Sequence, residues 1–194
     1  MGLLVMIVGL VLFLGPHTLT TQRDLRARLI ASMGEGGYKI GYALVSLAGL
    51  VLIIWGFGHY RASGFREIWS PPVILKYLND ALMLPATILV VAAYIRGRIY
   101  TTLKHPFLAG VKLWAAAHLI ANGDLGSILL FGSVLAWAVI DRISLKSRND
   151  PGAPPIPVGT WRSDAMAVVV GLLVYLALGF VFHPLVIGVP VFVR

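Results

Sequence analysis

The sequence predicts an all-α, polytopic membrane helical bundle of about six transmembrane helices, with both termini facing outward. Three observations predict it. Of 194 residues, 58% are hydrophobic and 12% are charged, whereas a soluble domain carries about 25% charged residues. So few charges cannot coat a surface that meets water. The apolar residues are gathered into blocks close to the roughly 20 residues that a spanning helix needs. The cations lie between those blocks. A soluble enzyme and a disordered chain are therefore excluded. The net charge of +8 forms no basic stripe on a polar domain, so the expected partner is the lipid bilayer and not nucleic acid.

Six spans are read, at residues 2–20, 38–58, 81–96 (interrupted by Pro85), 106–121, 125–140 and 165–186. Spans three to five are short. Spans four and five are separated only by Asn122-Gly123-Asp124, which predicts a tight helical hairpin. The first span is not written as a cleaved signal peptide: no Lys or Arg precedes it and no small-residue cleavage site follows it. Residues 58–80 read as an outer loop lying along the interface, with Trp69 before Ser-Pro-Pro. Residues 149–160, NDPGAPPIPVGT, read as an extended Pro/Gly linker. No internal repeat is present, and the expectation is a single membrane domain over residues 1–194.

Orientation follows from the cations of short loops. The first, third and fifth loops carry Arg23, Arg26, Arg28 and Lys39, then Arg96, Arg98 and Lys104, then Arg142, Lys146, Arg148 and Arg162. The second loop and the C-terminal tail carry Arg61, Arg66, Lys76 and Arg194. The first group marks the cytoplasmic side of a bacterial inner membrane.

An ionisable side chain inside a span is a functional-site candidate. There is no cysteine, which removes disulfides, iron–sulfur clusters and thiolate ligands. Histidine then becomes the residue for metal or acid–base chemistry. His17 lies near the inner end of span one, after Gly15-Pro16. His105 precedes Pro106, where it either caps the helix or lends its imidazole to a site. His118 lies well inside span four, in WAAAHLIAN. Trp114, His118 and Asn122 recur at i, i+4 and i+8 and so share a helix face. Ala115, Ala116 and Ala117 beside them leave room for a close helix or a flat cofactor. His183 lies near the outer end of span six, and His59 reads as an ordinary interfacial residue. Lys112 either snorkels to the surface or meets a carboxylate. No phosphate loop, H-E-x-x-H or G-x-S-x-G is present. Histidines on separate apolar helices suit haem b, with two histidines or one as axial ligands. Zinc suits them less, because the histidines are far apart in sequence. Counting depth along the spans pairs His17 with His105, and His118 with His183.

The run HPFLAGVKLWAAAHLIANGDLGSILLFGSVLAWAVIDR resembles the NnrU family of bacterial membrane proteins. The first-span GPHTLTTQRDLR, the NGD turn and the late FHPL extend the resemblance over nearly the whole chain. It implies a link to nitrite and nitric oxide metabolism in denitrification. The family is in turn similar to the zeta-carotene isomerases, integral membrane haem b enzymes that isomerise a cis double bond. Their first-helix histidine matches His17, their R-H-P…W-C-L-A-H stretch matches His105 and His118, and their late A-H-P-L matches His183. That similarity implies His17 and His118 as haem and metal ligands. Trp114 and Asn122 would then shape the pocket, and Arg96, Arg98 or Lys112 would meet the propionates. This chain has Lys104 where the isomerases have arginine, and Ala115-Ala116-Ala117 where they have a cysteine. The H-P-x-x-x-G stretch at His105 also resembles isoprenylcysteine-type methyltransferases, which bind S-adenosylmethionine, although Lys104 and Phe107 depart from their pattern.

Three functions compete on these grounds. The first is a haem b protein, either redox-active or isomerase-like towards an apolar substrate. The second is a non-enzymatic assembly or transport factor with respiratory reductase components as partners. The third is a lipid methyltransferase.

Overall fold

The computed structural model describes residues 1–147 and 157–192. Most of the linker expected at 149–160 lies outside the described residues, as do Arg148 and Arg194 of the orientation count. Residues 157–160, which are described, are non-helical. The described chain is all-α. Its helices are α1 (Gly2–Leu19), α2 (Arg23–Ala62), α3 (Val73–Ala92), α4 (Arg98–Leu103), α5 (Pro106–Ala121), α6 (Leu125–Lys146) and α7 (Trp161–Ala177), which runs on into a π-helix (Leu178–Ile187). Among the described residues, five helical segments are long and apolar enough to cross a membrane: α1, α2, α3, α6 and α7 with its π-extension. Their surfaces carry large exposed apolar side chains such as Leu4, Val11, Ile54 and Leu173. Such faces are stable against lipid and costly in water. The protein is a multi-pass membrane protein.

Several expected boundaries move. Helix α3 starts at Val73, so the outer loop is shorter than 58–80 and residues 73–80 are helical. Pro85 does not interrupt α3. It removes one ladder bond, to the Ala81 carbonyl, and the helix tolerates that loss because the turns on either side stay bonded. Helices α3 and α6 have 20 and 22 residues, so of the spans expected to be short only α5 is, with 16. The chain divides into two packed units, Met1–Ile68 with Asp124–Ser147, and Trp69–Gly123 with Arg148–Arg194. Helix α5 finds its partner in α3, and α6 finds its partner in α1. The tight hairpin expected at Asn122-Gly123-Asp124 is therefore a junction at which the chain passes from one unit to the other.

In the first unit, α1 and α2 lie antiparallel along two glycine pairs. A Cβ added at Gly9 would fall 2.6 Å from the Ile53 backbone nitrogen, and one at Gly49 would fall 2.5 Å from the Phe13 backbone nitrogen. Gly2 and Gly56 meet the other helix in the same way, Gly2 against Tyr60 and Gly56 against Met6. Both pairs repeat at i, i+7, which returns to the same helix face. Without side chains there, the backbones approach closely enough for dispersion to hold two apolar helices together in lipid. Met6, Leu10 and Ile53 form the buried cluster, with Phe13, Phe57 and Leu130 packed on it. Helix α6 is capped by Asp124, whose carboxylate accepts from the Ser127 amide at 2.9 Å.

In the second unit, α3 is the central helix. Gly110 of α5 rests against the Ala86 carbonyl, and Gly171 of α7 rests against Ile88. The short helix α4 is tied to α7 through Asp164, which accepts from the Ile99 amide at 2.9 Å. Thr160 caps α7.

Candidate functional site: two histidines and a polar recess

The second unit holds a recess lined in part by Asn79, Asp80, Met83, His118, Tyr175 and His183. Its enclosed space is about 30 Å³, room for about one or two water molecules. His118 and His183 face each other there, with ring centroids 6.4 Å apart and ring planes 24° from parallel.

Each ring is fixed by its own helix. His118 lies near the end of α5, and its Nδ1 is 2.9 Å from the Trp114 carbonyl. His183 lies in the π-helix, and its Nδ1 is 2.9 Å from the Leu178 carbonyl, five residues back. A carbonyl oxygen only accepts, so both Nδ1 atoms carry the proton. The Nε2 lone pair is then the basic position on each ring, the arrangement that orients a ligating histidine. Asn122 donates to the His118 carbonyl at 2.9 Å, satisfying one of the orphan carbonyls at the end of α5. Trp114 packs beside His118, with ring centroids 5.2 Å apart. The i, i+4, i+8 face expected from sequence is thus a connected set.

The polar edge of the recess comes from α3. Asn79 is buried, and its Nδ2 donates to the Asp80 carboxylate at 3.3 Å. That bond sets the amide orientation, and the Asn79 Oδ1 is buried with no donor among the described residues. The Tyr175 hydroxyl donates to the Asp80 carbonyl at 3.0 Å, joining α7 to α3. Sequence reading misses Asn79 and Asp80 because it runs the outer loop to residue 80, and Tyr175 because it lies within the apolar run of span six. The signal available was an Asn-Asp pair inside the apolar pattern of residues 73–92.

The other expected residues lie elsewhere. His105 is the residue before α5, with Pro106 at the first helical position as its spacing predicts. It follows Lys104, whose φ of 62° is left-handed, a conformation that strains a residue with a Cβ. Lys112 lies on α5 and is not among the residues lining the recess. His59 is exposed beside Trp55. His17 belongs to the first unit. Its Nδ1 donates to the Phe13 carbonyl at 2.6 Å, and the rings of Phe13, Tyr42 and Trp137 stand 4.4, 5.3 and 5.5 Å from it.

A family model described as NnrU protein matches residues 5–191. The chain belongs to the NnrU family. No curated protein and no solved structure matches it. In this NnrU-family protein, the match spans both histidines of the recess and Gly9, Gly49 and Gly56 of the α1–α2 interface.

The donor set is a pair. Among the described residues, no three His, Asp or Glu side chains gather into a cage for a metal ion, which is the arrangement structural zinc requires. The two imidazoles, 6.4 Å apart, are donors of the kind a haem iron takes.

Proposed function

We propose that this NnrU-family protein binds haem b in its second unit, where His118 and His183 would hold it. The observation that carries the proposal is the 6.4 Å approach of the two rings, each pinned through Nδ1 by a helix carbonyl. Haem b bound there would supply a redox-active iron that also acts as a Lewis acid. The similarity to the isomerases pairs His118 with His17. We assign His183 in its place because it faces His118 within one packed unit. Trp114 and Asn122 hold His118 in orientation. Met83, Leu178 and Phe192 give the recess apolar walls, while Asn79 and Asp80 give it a polar edge. Such a lining supports redox chemistry or isomerase-like chemistry on an apolar substrate. We further propose that the protein acts in the bacterial plasma membrane in nitrite and nitric oxide metabolism. That reading rests on the resemblance to NnrU described above.

The test is the absorption spectrum of protein purified after haem-replete expression. A Soret band is expected, lost in His118→Ala and in His183→Ala and retained in His17→Ala. Absence of the band from the unsubstituted protein, or its survival in His118→Ala, would overturn the proposal.

A further inference from the structure

We propose that residues 23–33, the first part of α2, form a membrane-surface helix that binds anionic phospholipid headgroups. The 40 residues of α2 are not one rod: Gly34, with φ 73° and ψ 160°, breaks it. The guanidinium carbon of Arg26 lies 5.6 Å from the centre of the Tyr38 ring. Along a straight helix those two residues would be separated by about 18 Å. Residues 23–33 therefore bend back towards the start of the spanning part of α2.

The composition of this segment suits neither water nor hydrocarbon. Leu25, Leu29 and Met33 recur at i, i+4 and i+8 and make an apolar row, of which Leu25 and Met33 are exposed. Arg26 and Arg28, both exposed, flank that row on opposite sides at 3.6 residues per turn. Their charges keep the helix out of the bilayer core, and the apolar row favours leaving water. A helix lying in the interface satisfies both, with the arginine stems along the acyl boundary and the guanidinium groups among the phosphates. A lipid surface fits better than an acidic protein for a positional reason: a single residue, Gly34, joins this segment to a helix that must enter the bilayer. The nearby acids do not oppose it. Glu35 is paired with Lys39 at 2.7 Å, and Asp24 lies on the side of the helix away from the apolar row.

The chain has no cysteine, so Leu25→Cys provides a single labelling site in the full-length protein. The labelled protein is reconstituted into vesicles of phosphatidylcholine, and into vesicles of equal parts phosphatidylcholine and phosphatidylglycerol. A polarity-sensitive fluorophore is then quenched from the lipid side by brominated lipid and from the water side by iodide. In the anionic vesicles the label should be lipid-quenched and iodide-protected. The double substitution Arg26→Gln and Arg28→Gln should lower its buried-to-exposed ratio roughly fivefold per arginine. Equal iodide quenching in both vesicles would overturn the proposal, and would return the segment to a protein-docking role. Equal protection in both vesicles, indifferent to the arginines, would overturn it as well. A label at lipid-facing Val11→Cys should be unaffected by the arginine substitutions, which separates loss of lipid contact from loss of the bundle.

Discussion

His17, His118 and His183 each bind a main-chain carbonyl through Nδ1. The ring is thereby fixed before any ligand arrives, and ligand binding need not cover the cost of ordering it. The supporting residues can be tested separately from the ligands. Asn122→Ala removes the donor to the His118 carbonyl and should cost about 1 kcal/mol of stability. Asp124→Ala removes the cap of α6 and should cost a similar amount, about 1 kcal/mol. Both are read as a lowered midpoint of thermal unfolding in detergent. Asn79 behaves differently. Its Oδ1 is buried with no donor among the described residues, and an unmet buried acceptor carries a penalty. Asn79→Leu should leave stability unchanged or raise it, by up to about 1–3 kcal/mol. A clear drop in the unfolding midpoint would show that the amide is satisfied in the folded protein.

At the scale of elements, the α1–α2 pair depends on what is missing from its interface. Gly9→Leu or Gly49→Leu places a side chain where the opposing backbone lies, and overpacking of this kind costs about 1–3 kcal/mol or more. Gly15→Leu on the same helix meets open space and should be neutral. Thermal unfolding of the three variants distinguishes a specific interface from general intolerance. The glycine spacing was legible in the sequence, as Gly2 with Gly9 and Gly49 with Gly56, but hydropathy alone does not weigh residues that contribute no apolar area. The spans themselves were legible because apolar blocks of helical length have few other uses. Helix boundaries were less so. Pro85 looked like an interruption, yet surrounding turns absorb a single lost bond, and so α3 extends back to Val73 and brings Asn79 and Asp80 into the recess. The face of Trp114, His118 and Asn122 was fully readable, since helical periodicity fixes it. For His118 the sequence offered two partners, His17 from the resemblance and His183 from depth along the spans; the ring proximity of His118 and His183 depends on a π-helix that no spacing rule foretold.

At the scale of the whole molecule, the distribution of cations predicts which loops face the cytoplasm. The absence of cysteine makes this testable one residue at a time. In intact cells, Thr21→Cys should resist a membrane-impermeant maleimide added outside, and Ser63→Cys should react with it. The reverse pattern would invert the topology. The short α5 is relevant here. At 1.5 Å per residue its 16 residues span about 24 Å, less than the roughly 30 Å of hydrocarbon. His118 and the junction at Asn122-Gly123-Asp124 therefore lie closer to the middle of the bilayer than a full-length span would place them, or the bilayer thins to meet them.

The π-helix that carries His183 winds with i to i+5 bonding, and so holds more residues per turn than the α-helix leading into it. The direction in which His183 points is consequently fixed by a count of residues as much as by their identity. Deleting lipid-facing Val181 shortens that count by one, and a one-residue shift of register turns everything beyond it by about 100°. If the protein binds haem as proposed, the expected result is a protein that still inserts into the membrane and shows no Soret band, although every residue lining the recess is still present.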